Sequence, residues 1–328
     1  MMTSIGKLPC LDRLPLPGVL PDPRALAPHK ESATNYDPES WEVEYVAHRY
    51  LGRLDEPTLR TRYDNILRNM QAIVSSDRHV IPIRSFLSSW YWYRKEHQTR
   101  AEFSMRGLPL HRGLPIIATR DLSAAPARPG GPNKGDVLFR YGKRKRLKEM
   151  VEFGRLRITA ARDYALIEND PARHDDELVK HRYSPGEYVT ITLPDGSTSK
   201  PIGDLRTSVS GTDYFVYCVA NDWDPDLFAD FKAEACAVIR NPEEFARRMK
   251  TAASTLHDWY FHYNPVEYFD THERWQHEHI DNAMSKDFRF AYQRETRFLW
   301  AGMGRPAIGV IDLELGSLSD IATYTEYS

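Results

Sequence analysis

A stretch of proline, glycine and small residues, 121–135, divides the sequence into two parts that differ in composition and in the spacing of their apolar residues. Such a stretch has nothing to bury and favours a linker. Residues 41–120 before it carry apolar side chains at helical spacing, whereas residues 136–328 after it carry short segments rich in β-branched and aromatic residues. Residues 1–40 contain seven prolines and no periodic apolar pattern, which indicates an extended arm. We therefore predict an α+β protein with an N-terminal helical domain and a mixed, mainly antiparallel, β-rich second domain.

The clearest amphipathic helix in the first part is predicted to begin at Asp55-Glu56-Pro57, a favourable helix start. A second helix is predicted from Ser85 to Gly107. Its aromatic run, Trp90–Tyr93, offers faces on which nucleic-acid bases could stack. A bulky helix face packed within its own domain is the better interpretation of this run.

Composition excludes several classes of protein. The chain is 41% hydrophobic and 27% charged with a formal net charge of -2, which argues against a whole-protein attraction to nucleic acid or membrane. Its three cysteines, Cys10, Cys218 and Cys236, are too few and too scattered for a disulfide framework. No apolar run approaches the roughly 20 residues of a membrane span, and the proline-rich start does not fit a signal peptide. We expect a cytoplasmic protein without membrane contact.

Common catalytic and metal motifs are also missing from the sequence. It has no Gly-x-Gly-x-x-Gly after a strand, no phosphate-binding Gly-rich loop ending in Lys-Ser/Thr, and no Gly-x-Ser-x-Gly elbow. The run from His272 to His279 resembles a zinc helix but misses the spacing, because Gln276 stands four residues after His272. We therefore predict no metal site.

Two charged segments leave alternatives open. The acidic loop Asp170–Glu177 could hold a metal or orient a substrate, but acids in loops are more often turn formers and helix caps. A basic run on a predicted helix could contact a polyanion such as nucleic acid, although such a run is usually a solvated face. This possible polyanion contact comprises Lys143, Arg144, Lys145, Arg146 and Lys148.

Near the C-terminus, Tyr292–Arg297 places three charges and an amide in a segment of otherwise strand-like residues. Alternation along a strand would put Gln293, Glu295 and Arg297 on one face. A glutamine and a glutamate two residues apart would then point into the same space. Either that face is a polar outer surface, or an amide and a carboxylate converge on a ligand.

Three segments in chain order resemble the ADP-ribosyltransferase superfamily. They are a strand ending in Arg140, a second strand with Thr159, and the Gln-x-Glu strand with Gln293 and Glu295. The region is also similar to a bacterial family of unknown function that has an Asn-Asp-Pro loop, matched at 169–171, and a closing Tyr-x-x-Glu-x-Arg strand. The resemblance covers about residues 136–315. It implies an ADP-ribosyltransferase-like α+β domain over 136–328 that uses NAD as its substrate.

The resemblance also implies roles for single residues. Glu295 would stabilise the oxocarbenium-like state that forms when the nicotinamide–ribose bond breaks, and Gln293 would face the acceptor. A glutamine there is typical of enzymes that modify a side chain other than arginine, or a nucleobase. The implied setting is a bacterial toxin or a phage-defence effector.

The cofactor side of the implied site includes Arg140, whose guanidinium would grip the pyrophosphate in a bidentate fork. Thr159 stands on the second strand, where the toxin pattern has three hydroxyl residues and this sequence has Thr159-Ala160-Ala161. Tyr141 or Tyr164 would stack on nicotinamide. The alternatives are a non-catalytic module that binds nucleic acid or a phosphate ligand, with Glu295 in a structural ion pair, and an NAD glycohydrolase.

Overall fold

The computed structural model describes residues 38–73, 89–110, 137–167, 178–184, 186, 189–203, 205–211, 213–253, 256–272, 281–302 and 304–326. The predicted linker and residues 1–37 of the predicted arm lie outside the described residues. So do the acidic loop 170–177 and residues 273–280 of the histidine-rich run.

The chain forms two compact units. The first comprises 1–118, 183–205 and 270–277, and the second comprises 119–182, 206–269 and 278–328. We predicted a boundary at 121–135 and assigned everything after it to the second domain. The structure differs for 183–205 and 270–277, which group with the first unit. The sequence does not reveal this, because the grouping follows from contacts between segments far apart in the chain, such as those of Asp270 with Arg62 and Lys95.

Within the described residues, the first unit contains three helices: α1 Pro38–His48, α2 Glu56–Ile73 and α3 Ser89–Met105. The predicted start of α2 is confirmed, since the Asp55 carboxylate accepts a hydrogen bond from the Thr58 amide at 2.8 Å. Tyr45, Leu59 and Phe103 are buried where the three helices meet.

Buried charges accompany this small apolar core. Glu102 on α3 is fully buried and accepts hydrogen bonds from Tyr45, Arg49 and Arg106. Because an unpaired buried charge is very costly, these partners are what allow the carboxylate to remain inside.

Fourteen strands and four further helices are described along the rest of the chain. The strands are β1 Leu138–Gly142, β2 Arg155–Ala160, β3 Val179–Ser184, β4 Ile191–Thr192, β5 Thr198–Ser199, β6 Leu205–Ser210, β7 Tyr214–Ala220, β8 Ala235–Ile239, β9 Tyr260–Pro265, β10 Glu267–Phe269, β11 Ser285–Asp287, β12 Glu295–Ala301, β13 Val310–Glu314 and β14 Ala322–Glu326. The helices are α4 Arg144–Phe153, α5 Ala161–Ile167, α6 Asp226–Asp230 and α7 Pro242–Ala252.

An eight-stranded sheet forms the body of the second unit, in the order β13-β2-β7-β1-β8-β14, with β12 pairing β7 and β9. All its pairings are antiparallel. Leu147 and Met150 of α4 and Phe245 and Met249 of α7 pack in the core cluster that includes Tyr217 of β7. The predicted α+β architecture is therefore confirmed at that level.

Helix α4 ends where the sequence predicts, at Gly154. This residue has φ +69° and its amide donates to the Met150 carbonyl at 2.9 Å. A glycine adopts this left-handed conformation at little cost. Within the described residues, no helix is both long enough and apolar enough to cross a membrane.

Candidate functional site: a pocket between two diverging strands

Strand β7 pairs with β12 along one edge and with both β1 and β2 along the other. On the first edge, β12 pairs over the full length of β7, from Glu295 opposite Ala220 to Ala301 opposite Tyr214. On the second edge, β2 pairs only at Val216 and Phe215, and β1 pairs only at Ala220. The two strands therefore diverge from each other, and the sheet is split beside the middle of β7.

Arg140 of β1 fills part of this split. Its Nη1 donates to the carbonyl oxygen of Cys218 on β7 at 2.6 Å. Its guanidinium carbon lies 4.8 Å from the centre of the Tyr217 ring, within the range of a cation–π contact. The side chain thus satisfies a carbonyl on the stretch of β7 between its contacts with the two diverging strands.

A cavity of about 600 Å³ opens between the diverging strands, bounded on one side by α4. This volume lies within the usual range of small-molecule sites. The four residues that we predicted to contact the cofactor, Arg140, Tyr141, Thr159 and Tyr164, all line it, and Tyr217 lines it too. Gln293 and Glu295 are not among the lining residues.

The two residues that we predicted to stack on nicotinamide, Tyr141 and Tyr164, differ in how deeply they are buried. Tyr141 is buried, its ring packs against Trp223 and Phe228, and its hydroxyl accepts a hydrogen bond from the Asp224 amide at 2.9 Å. Burial raises the pKa of this hydroxyl well above its usual value. This packing makes Tyr141 the less favourable of the two for stacking on a ligand. Tyr164 on α5 is half-buried, so the stacking role stays a prediction that Tyr164 fits better.

The pocket is lined by both cations and carboxylates. Arg157 of β2 holds Asp312 of β13 through two hydrogen bonds of 2.7 and 2.9 Å. Arg155 and Glu314, two residues further along the same strands, lie 3.7 Å apart. These exposed pairs neutralise one another, so their net attraction for an anion is small.

The predicted strand 292–297 is wrong in its first part. Phe288–Gln293 is a 3₁₀ helix, Arg294 takes the left-handed conformation with φ +44°, and the strand begins only at Glu295. Arg294 is held there by an ion pair of 2.6 Å with Asp222. A positive φ is unusual for arginine and breaks the alternation that a continuous strand would have.

Gln293 and Glu295 nevertheless point into one space, because both meet Lys286. The Lys286 ammonium lies 3.1 Å from Gln293 Oε1 and 3.0 Å from Glu295 Oε2. Arg297 Nε donates to Glu295 Oε1 at 2.6 Å, and the Glu295 amide donates to the Tyr268 hydroxyl at 2.8 Å. We call this group the Glu295 cluster: Tyr268, Lys286, Gln293, Glu295 and Arg297.

The Glu295 cluster is buried and keeps its carboxylate ionised. Burial alone would raise the pKa of Glu295, but attraction to Arg297 and Lys286 and the hydrogen bond from Arg297 together hold it well below its usual range. Sequence reasoning did not identify Lys286. The available signal was the spacing of Met284, Lys286 and Phe288, because alternation on a strand would put the lysine on one face with two apolar side chains.

The structure does not bring the two halves of the predicted NAD site together. Phe139 and Glu295 both pair with Ala220 of β7, one from each edge, so their side chains share a face of the sheet. Arg140, the next residue after Phe139, therefore points to the opposite face. Cys218 lies between them: its carbonyl accepts from Arg140, and its side chain shares the face of Glu295 because Cys218 stands two residues before Ala220.

The other charged segments add little to a site. Within the basic run, Lys143, Arg144 and Lys148 form ion pairs with Glu234, Glu326 and Glu152. His272 stacks on Tyr183 with 5.2 Å between ring centroids. Among the residues that the structure describes, no group of three or more histidine, cysteine, aspartate and glutamate side chains could hold a metal ion.

Comparison with family models, with curated proteins and with solved structures gives no match. The interpretation of the pocket and of the Glu295 cluster therefore rests on their own residues and geometry.

Proposed function

We propose that the second unit binds a nucleotide in the pocket between β1 and β2, and that NAD is this nucleotide. One observation carries the proposal. Arg140, Thr159 and Tyr164, which resemblance to the ADP-ribosyltransferases singles out as cofactor contacts, line one cavity of about 600 Å³ although they lie on three different elements. A guanidinium, a hydroxyl and an aromatic ring suit a phosphate, a ribose and a base or nicotinamide ring respectively.

Arg140 is anchored in the fold at the place where it lines the cavity. Its guanidinium donates to the Cys218 carbonyl at 2.6 Å. Its guanidinium also contacts the Tyr217 ring at 4.8 Å, so two contacts hold the side chain in place. A guanidinium oriented in this way loses less conformational entropy when it binds a phosphate.

The test is titration calorimetry of the full chain with NAD, ADP-ribose and AMP. We expect Arg140→Ala to weaken NAD binding by about tenfold or more, the usual effect of losing a hydrogen bond between charged groups. Arg247→Ala is the matched control, because Arg247 is exposed on α7 and pairs only with Glu244 in the part of the chain that the structure describes. Arg140→Lys, which keeps the charge, replaces Arg140→Ala if the latter fails to fold by circular dichroism.

Two results would refute nucleotide binding. The parent chain would show no heat of binding with any of the three nucleotides, or the Arg140 variant would bind NAD as tightly as the parent does.

Cleavage of NAD is the second candidate function. In it the bond between nicotinamide and ribose breaks, the electron pair leaves with nicotinamide, and the acceptor attacks the ribose carbon and loses a proton. A macromolecular acceptor other than an arginine side chain would make the chain an ADP-ribosyltransferase, with a toxin or phage-defence setting. Water as the acceptor would make it an NAD glycohydrolase.

The position of Glu295 weighs against a direct catalytic role in this pocket. Its carboxylate lies on the face opposite Arg140 and is engaged by Lys286 and Arg297. That arrangement is the structural ion pair expected for a non-catalytic binding module. Incubation with labelled NAD and cell extract separates the outcomes: label on a macromolecule means transfer, free nicotinamide without label means hydrolysis, and neither means binding alone.

Binding of nucleic acid through the basic run is less well supported. Three of its five cations are engaged by carboxylates, and neutralised cations release few counterions from a polyanion.

A further inference from the structure

We propose that Arg146 and Glu149 of α4 set the specificity of the pocket, with Glu149 binding a ribose diol and Arg146 binding a phosphate. The inference rests on the proposed nucleotide binding and adds the class of ligand to it. It predicts a site for a nucleotide with a free 2′,3′-diol, such as NAD, that discriminates against a 2′-phosphate, such as that of NADP.

The two side chains lie together on one side of the pocket. They are three residues apart on α4, so they are neighbours on the helix surface, and both line the cavity. Glu149 is half-buried and Arg146 is exposed. The site therefore presents one anion and one cation, side by side, to whatever fills it.

Their lack of partners distinguishes them from the other charges of the lining. Asp312 is held by Arg157, Glu314 lies beside Arg155, and Lys143 binds Glu234. Within the described residues, neither Arg146 nor Glu149 forms an ion pair or a side-chain hydrogen bond. The hydrogen bond from Arg157 lowers the pKa of Asp312, and Arg146 adds only a longer-range attraction in the same direction.

A half-buried carboxylate without a partner favours a particular kind of ligand. When a ligand displaces water from Glu149, the carboxylate loses its hydration and needs donors in return. The vicinal hydroxyls of a ribose supply two donors at the spacing of the two carboxylate oxygens. A 2′-phosphate supplies none, and it brings a like charge to the same place.

The experiment measures the affinities of NAD and NADP for the parent chain and for Glu149→Gln by titration calorimetry. We expect the parent to prefer NAD. In Glu149→Gln the affinity for NAD should fall about tenfold and the affinity for NADP should rise, so that most of the preference disappears. Glu152→Gln is the matched control, because it removes a carboxylate from the same helix outside the pocket and should leave both affinities unchanged.

A second variant tests the other half of the pair. Arg146→Ala should weaken NAD and ADP-ribose binding together and leave adenosine, which has no phosphate, unaffected. An unchanged ratio of NAD to NADP affinity in Glu149→Gln, with NAD binding intact, would overturn this inference alone. Failure of the parent to bind any nucleotide would overturn the proposed function as well.

Discussion

Replacement of Glu295 by glutamine should destabilise the second unit by about 3–5 kcal/mol, the usual cost of removing one partner from a buried ion pair. The change keeps the size and most of the shape of the side chain but removes its charge. It leaves two cations, Lys286 and Arg297, next to a neutral amide. Their side chains are 5% and 0% exposed, so water cannot compensate them.

The magnitude follows from burial and not from the ion-pair distance alone. The exposed pair Arg157–Asp312 has a similar distance of 2.7 Å, but its side chains are 45% and 66% exposed. Surface pairs of this kind contribute about 0–1 kcal/mol. Asp312→Asn is therefore the matched control, with an expected loss of less than about 1 kcal/mol.

The assay is urea unfolding followed by tryptophan fluorescence, with Trp300 as a buried reporter on the same strand as Glu295. The pH dependence gives a second measurement. Because the pKa of Glu295 is lowered in the folded state, its contribution is fully present above the unfolded pKa of about 4.3 and is lost as pH falls towards the folded value. The difference in unfolding free energy between parent and variant should therefore shrink below about pH 4.3.

A double variant identifies the cause. Adding Lys286→Met to Glu295→Gln removes one of the uncompensated cations, and we expect it to recover part of the lost stability. A Glu295→Gln variant as stable as Asp312→Asn would refute the reasoning. The prediction also affects enzymology, since loss of activity in Glu295→Gln would not by itself identify a catalytic carboxylate.

Two further predictions concern Asp224 and Gly154 in the second unit. Burial, opposed by Arg294, raises the pKa of Asp224 to about 6. The folded state therefore loses stability as pH rises from about 3.9 to 6. In urea unfolding, Asp224→Asn should be about 1–2 kcal/mol more stable than the parent at pH 8 but little different from it at pH 4. Gly154→Ala would place a methyl group 1.9 Å from the Gly316 carbonyl oxygen, at a φ of +69°. Gly309→Ala is the control, because its φ is +76° but nothing lies within 4 Å of the added methyl group. The melting temperature of Gly154→Ala should be well below that of Gly309→Ala, and equal melting temperatures would contradict the clash.

Local patterns were sufficient for the elements around the pocket. The sequence predicts a strand at 137–141, a helix at 143–151 and a strand at 156–159, and the structure has β1, α4 and β2 within one or two residues of these. Gly154 explains this accuracy, because a glycine after the last helical turn fixes the end of the helix independently of the rest of the fold.

The pairing of strands that are distant in the sequence could not be predicted from local patterns. Nothing in the residue types indicates that β1 and β2 share one edge of β7. Nor do they indicate that Phe139 and Glu295 both pair with Ala220, which is the register that places Arg140 and Glu295 on opposite faces. The left-handed Arg294 was also hidden, because the ion pair with Asp222 that accompanies it joins residues 72 positions apart. Segment 270–277 joins the first unit through Asp270, whose carboxylate binds Arg62 and Lys95.

The hydrogen bond from Arg140 to the Cys218 carbonyl has a consequence for how this chain tolerates mutation. One guanidinium closes a gap in the sheet and, in our proposal, also holds the ligand. A lysine keeps the charge but has no planar fork with which to serve both partners, and an alanine serves neither. A substitution at position 140 thus acts on the sheet as well as on the ligand contact, and lysine disturbs the sheet less than alanine does. Arginine at this position should therefore be retained even in a chain that has lost its ligand, because the sheet still needs the hydrogen bond to Cys218.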